Sequence, residues 1–406
     1  MIVAMVFGLA FNFTGCTKDD TTDPENPENP VTPPTPGIET LVSPITSNRT
    51  LPDLGLEIDY YINGTLHIEE DACLTIEPGV TIAFTDESGA IIVNESAAMK
   101  AIGTQEKPII FRGTANNNNA GSWNYILYNS QRNDNQMEYV TLLNGGSTNS
   151  NDWGLLRVYG KMSMKNCTID GGLQDGVQLS SGGYFTAFEG NTIKNMAKYP
   201  IWTSDVVSIK NFGANNTYTL NAKNFILVEG WSYLIEDYTL VKQSIPYYFS
   251  DGLSFRSDIS VKATIQPGTQ MLFGAGTNFL IANPVQIVAE GTVDEPIVIK
   301  GFENEIGFWN GVMMESERQG NIFNFCQMSG GGSDSGWTAN HCLYLRSNSK
   351  TTITNTLISD SDYYGIVIEN MADPDFRLTH ANVGFTNCRL ANVLDEYLDM
   401  TFEALP

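Results

Sequence analysis

Two pairs of aspartates stand at turns of this chain, Asp170 with Asp175 and Asp360 with Asp362, just ahead of Gly176 and Gly365 respectively. Two carboxyl groups held close together have two chemical uses. They can act as acid and base on a glycosidic bond, or they can supply oxygen ligands to Ca²⁺. A third reading is conformational, because Asp is a favoured turn residue that bonds its own backbone. Placement in two separate stretches suits the turn reading, since a duplicated corner needs its residue twice and a single active site does not. Histidine adds little: there are 3, His67, His341 and His380. His341 and Cys342 are adjacent, so on a strand they face opposite sides and cannot share a metal. The cations that could take a proton nearby, Arg157, Lys161 and Lys165, are scattered. No metal-ligand set is assigned, and Ca²⁺ at the paired aspartates is the one cofactor to consider.

Aromatic residues offer a binding chemistry instead. Trp153 and Trp337 sit in loops rich in Gly, Ser, Asn and Asp (Gly145–Asp152 and Gly330–Gly336 run up to them), where a flat exposed ring can stack on a sugar. Asp360 and Asp362 join them as candidate ligand contacts. Trp202, Trp231 and the tyrosine pairs Tyr60-Tyr61, Tyr247-Tyr248 and Tyr363-Tyr364 extend that surface. Trp123 and Trp309 differ, each preceding an Asn at the start of a strand, and are expected to pack beneath a loop.

The elements that position these residues are repeated. Thr75-Ile76-Glu77-Pro78-Gly79 returns as Thr264-Ile265-Gln266-Pro267-Gly268, and each copy leads into the same train: Phe84 or Phe273, Gly103-Thr104 or Gly291-Thr292, Trp123 or Trp309, then Gly145-Gly146-Ser147 or Gly331-Gly332-Ser333. The offset stays near 190 residues throughout, which marks a duplicated unit. A shorter repeat runs inside it, as in Asn166-Cys167-Thr168-Ile169, Asn191-Thr192-Ile193, Asn355-Thr356-Leu357-Ile358 and Asn387-Cys388-Arg389-Leu390. Its spacing suits one coil of a parallel β-helix, in which short strands of each coil pair with those of the coil before. At about 25 residues per coil this gives on the order of fourteen coils and a rod roughly 65 Å long. The expected fold is all-β, a right-handed parallel β-helix of two tandem units, continuous from about Leu54 to Leu390. Unit one covers about 58–194, intervening coils 195–246 and unit two about 247–406, within a body of 41–406. The loops carrying Trp153 and Trp337 are then expected on one lateral flank, roughly 30 Å apart at the coil spacing.

Composition narrows the partners. With 46 Asp+Glu against 22 Lys+Arg the net charge is −24, which repels phosphate backbones and excludes nucleic acid. An acidic polysaccharide would be repelled too unless a divalent cation bridged it. Residues 1–16 read as a secretion signal, too short to span a bilayer. It ends in Phe13-Thr14-Gly15-Cys16, which resembles the lipobox of bacterial lipoproteins, with Cys16 the lipidated residue and outer-membrane lipid the anchor. Residues 17–40 form a linker, because Pro24, Pro27, Pro30, Pro33, Pro34 and Pro36 exclude helix and ladder pairing. The five other cysteines, Cys73, Cys167, Cys326, Cys342 and Cys388, have no disulfide-like spacing and read as small interior fillers.

Leu74-Thr75-Ile76-Glu77-Pro78-Gly79-Val80 to Phe84, followed by Gly103-Thr104 and Pro108-Ile109-Ile110-Phe111, resembles the right-handed parallel β-helix repeat proteins of the pectin-lyase-like superfamily. The resemblance covers about residues 58–400 and is greatest to Bacteroidetes surface lipoproteins. Lys18-Asp19-Asp20 is similar to their surface-export signal, which implies an outer-membrane lipoprotein exposed at the cell surface. The hydrolases of this superfamily carry Asn-Thr-Asp, Asp-Asp, Gly-His-Gly and Arg-Ile-Lys motifs. None occurs here in that form, and Thr168-Ile169-Asp170-Gly171-Gly172 is the nearest. Two function classes follow. One is a non-catalytic surface protein that binds a glycan or adheres to a partner. The other is a polysaccharide lyase or glycoside hydrolase using Asp170 and Asp175, with or without Ca²⁺. The missing motif set favours the first.

Overall fold

The computed structural model describes residues 37–406, apart from 149–153, 231, 334–339, 347, 370–377, 397 and 406. Cys16, Trp153, Trp231 and Trp337 therefore lie outside the described residues. Residues 38–406 form one compact unit. It is a parallel β-solenoid: among the described residues there is no α-helix, and strands run from Glu39–Leu41 to Met400–Phe402. One face is a thirteen-stranded sheet, with a strand from each coil, beginning at Thr65–Ile68 and ending at Gly384–Thr386. Its neighbours pair in parallel. The body starts earlier than Leu54, because Glu39–Leu41 already pairs with Tyr60–Ile62.

The hydrophobic effect organises each coil. Alternate strand residues point inward and stack in register from coil to coil: Leu66 on Ile91, Ile91 on Ile126, Ile126 on Leu156, and so on past Ile201 and Met271 to Ile358. All of these are buried, and one continuous core fills the rod. Buried asparagines close the corners. Asn191 Oδ1 accepts the Cys167 N–H at 3.0 Å while its Nδ2 donates to the Met164 carbonyl at 3.0 Å. Asn216, Asn221 and Asn321 repeat the device. Each thereby satisfies backbone groups that turning the corner would orphan. Cys167, Cys326 and Cys342 are buried, and Cys73 and Cys388 half-buried, all unbridged. Burial pushes the first three thiols up to about 12, as expected of interior fillers.

The duplicated Trp residues have the packing role expected of them. Trp123 is fully buried, stacks on Phe84 at 4.4 Å between centroids, and donates its indole N–H to the Leu143 carbonyl at 2.9 Å. Trp309 repeats this with Phe273 at 4.5 Å and the Ser329 carbonyl at 2.8 Å. Gly145 must lack a side chain for this, since a Cβ there would lie 2.6 Å from the Trp123 ring.

The two units stack out of phase. In unit one the strand Thr81–Phe84 belongs to an eight-stranded sheet and the next strand, Ala90–Val93, to the thirteen-stranded one. In unit two the strand equivalent to Thr81–Phe84, Gln270–Phe273, is itself in the thirteen-stranded sheet. Every homologous strand has moved on by one face. Only the thirteen-stranded sheet runs through both units. The six-stranded sheet ending at Tyr184–Glu189 and the eight-stranded sheet starting at Ser232–Tyr233 meet at a seam, which the 3-10 helix Val207–Ile209 occupies in place of a strand. At the far end Met400–Phe402 pairs antiparallel to Ala391–Asp395.

Candidate functional site

Each of the four aspartates has partners of its own. Asp170 accepts the Asn195 side-chain N–H at 2.7 Å and an ion pair from Lys194 at 3.3 Å. Asp360, at a φ of 54°, accepts the Asn387 side-chain N–H at 2.8 Å and the Ser359 hydroxyl at 2.9 Å. Both therefore receive an asparagine amide from the next coil, but one position out of step: Asp170 precedes the corner residue Gly171, at a φ of 72°, whereas Asp360 is itself the corner residue. Asp362 pairs with Arg389 at 3.2 Å.

Asp175 lies round the corner from Asp170, on a strand of the thirteen-stranded sheet, and is only 2% exposed. It accepts the Tyr199 N–H at 3.0 Å, and burial pushes its carboxyl up to about 7. Such a group is a proton store, but it is closed to a polymer as the chain stands. Among the candidate bases, Arg157 is buried with its guanidinium 3.7 Å from the Tyr125 ring centroid, and Lys165 pairs with Glu189 at 2.6 Å. Among the described residues no group of three or more His, Cys, Asp or Glu could hold a metal ion.

Trp153 and Trp337 lie outside the described residues, and the strands that follow the two segments carrying them belong to different sheets. The strand after the first, Gly154–Val158, is in the thirteen-stranded sheet, and the strand after the second, His341–Leu345, is in the eight-stranded sheet of the next face.

What the fold does assemble is an aromatic strip on the outside of the thirteen-stranded sheet. Trp202 points outward in register with Gln178 and Leu227, and Leu227 with Tyr248. Trp202 and Tyr248 are thus two strands apart, roughly 10 Å, on either side of the buried Leu227. Beside them Tyr199 packs on Phe225 at 5.2 Å, Phe225 on Tyr248 at 5.2 Å, and Tyr248 on Phe302 at 4.4 Å. Phe302, on the segment after Ile297–Gly301, reaches back to close the strip, 5.4 Å from Phe225. All five rings are half-buried, with part of each surface open to solvent. Polar groups edge the strip. Lys223 donates to the Tyr199 hydroxyl at 3.0 Å and lies 4.6 Å from its ring centroid, and the Trp202 indole donates to Glu229 at 3.0 Å. Trp202 and Tyr248 were legible as candidates. Tyr199, Phe225, Phe302 and Lys223 were missed, although Tyr199, Phe225 and Tyr248 recur about one coil apart.

A parallel solenoid of about thirteen coils is the class this architecture defines. Residues 46–160 match the family model of the pectate-lyase-like β-helix domain. Together the match and the fold support the pectin-lyase-like superfamily and, with it, a carbohydrate-related role. No curated protein and no solved structure matches the chain.

Proposed function

We propose that this protein is a non-catalytic carbohydrate-binding solenoid that lays a neutral polysaccharide along the strip of Trp202, Tyr248 and Phe302. The observation that carries the reading is the contiguous set of partly exposed rings of Tyr199, Phe225, Tyr248 and Phe302, with Trp202 beside it, along one sheet. Sugar rings present apolar C–H faces that stack on aromatic rings, while their hydroxyls can reach Lys223 and Glu229 at the edge. A net charge of −24 favours a neutral polymer over a polyanion. Affinity electrophoresis against neutral and acidic polysaccharides tests this. Trp202→Ala and Tyr248→Ala should each weaken binding about fivefold, the equivalent of about 1 kcal/mol per stacked ring, with melting temperature unchanged. Variants retained as strongly as the parent would end the reading.

A catalytic alternative would use Asp170 and Asp175; it needs an opening that uncovers the buried Asp175, whose carboxyl at about 7 has the protonation a general acid needs. The same panel decides it: new reducing or unsaturated ends that disappear in Asp175→Asn would make the protein a lyase or hydrolase.

The proposed placement is the outward side of an outer membrane, with lipid on Cys16 and residues 17–37 as the stalk. Cys16→Ala should release the protein from the membrane fraction, and globomycin should block processing of the parent chain. Membrane association unaffected by either would rule the anchor out.

A further inference from the structure

The seam between the two units leaves an open groove of about 480 Å³. It exists because the 3-10 helix Val207–Ile209 stands where a strand would otherwise join the two sheets. Tyr184 comes from the last strand of the six-stranded sheet before the seam and Tyr233 from the first strand of the eight-stranded sheet after it, so each side of the seam contributes one ring. Tyr233 is 47% exposed and Ile235 70% exposed, an apolar surface that nothing in the fold covers. Between them lie polar groups: Lys210, 5.5 Å from the Tyr184 ring centroid and paired with Glu236, and Asp205, which accepts the Ser208 N–H at 2.9 Å. Ser208 also lines the groove.

We propose that this seam groove is a second carbohydrate site, separate from the aromatic strip, that takes one or two residues of a neutral oligosaccharide. Its size falls within the range of small-ligand clefts. Two tyrosine rings and an exposed aliphatic offer stacking surfaces, and an amine, a carboxylate and a hydroxyl offer both donors and acceptors, the mixture a sugar presents in return. Lys210 is already neutralised by Glu236 within a strongly acidic protein, so the groove gives no net attraction to an anion. The proposal rests on the carbohydrate reading of the chain but not on the strip itself.

The test is calorimetric titration of the whole protein with neutral β-1,3- and β-1,4-linked hexasaccharides. Two independent sites are expected. Tyr233→Ala should abolish or weaken one of them at least tenfold, and Ile235→Arg, which fills the groove from an exposed position, should do the same with the melting temperature unchanged. Tyr248→Ala should affect only the other site. If Tyr233→Ala and Ile235→Arg leave titrations unaltered while Tyr248→Ala weakens them, the seam is not a site and the strip stands. If the parent protein binds none of the oligosaccharides, this proposal falls together with the carbohydrate reading.

Discussion

Trp123→Ala should cost about 3–5 kcal/mol of folding stability, the range for deleting a large buried aromatic. The loss has three parts. The stack on Phe84 disappears, the cavity left beneath Gly145 cannot close onto a backbone already in contact, and the Leu143 carbonyl loses its donor. Trp309→Ala should cost a similar amount for the same reasons, through Phe273 and the Ser329 carbonyl. Stability in a solenoid is carried by nearest-neighbour contacts, so the two variants should fail in different places. Hydrogen exchange under mild urea would read this, with amides of unit one loosening in Trp123→Ala and those of unit two in Trp309→Ala. Wild-type urea midpoints for both variants would contradict the packing described.

Asp175→Asn should stabilise the protein at pH 8 and leave it little changed near pH 4. The folded-state carboxyl titrates at about 7 against 3.8 for the unperturbed group, with burial the main cause. Between those values the folded chain holds a proton that the unfolded chain has lost. Stability from this group is therefore complete below the lower value, falls as pH rises, and is fully lost above about 7. Each pH unit in the window is worth about 1.4 kcal/mol, or on the order of 4 kcal/mol across it. Asparagine stays neutral and can still accept the Tyr199 N–H, so the variant should lack this slope. The measurement is the difference in urea midpoint between parent and variant from pH 4 to pH 8. A variant less stable than the parent at pH 8 would mean that Asp175 is ionised and held by Lys198 or Lys223.

The fold was legible because its rule is local. The recurring Thr-Ile-x-Pro-Gly turn, with Gly79 at a φ of 96° and Gly268 at 74°, and the coil-length return of a small or aliphatic inward residue both write themselves into the sequence. The doubled Trp with its following Asn was legible for the same reason, since packing beneath a loop needs the same residue in both copies. Asp170 and Asp360 each take an asparagine amide from the next coil, though one register position apart. The site was not legible, because it depends on phase. Which rings share a face turns on how many faces the chain passes between the two units. That number is set in residues 195–246, where strands are as short as Ser232–Tyr233 and a 3-10 helix replaces one altogether. Tyr199 and Phe302 are about a hundred residues apart in sequence and meet on one strip only once that phase is known.

The one-face offset has a consequence of its own for how the chain can change in length. A whole coil inserted into residues 195–246 would return every later strand to the face it now occupies. A third of a coil removed would align the two copies like the graduations of a vernier brought to zero, with the rows of Trp123 and Trp309 superposed and all three sheets able to run through. The groove between Tyr184 and Tyr233 would then have no reason to exist. It is the remainder left when the separation of the copies is divided by the coil, and a lineage that kept the duplication but lost that remainder would keep the rod and lose the cleft.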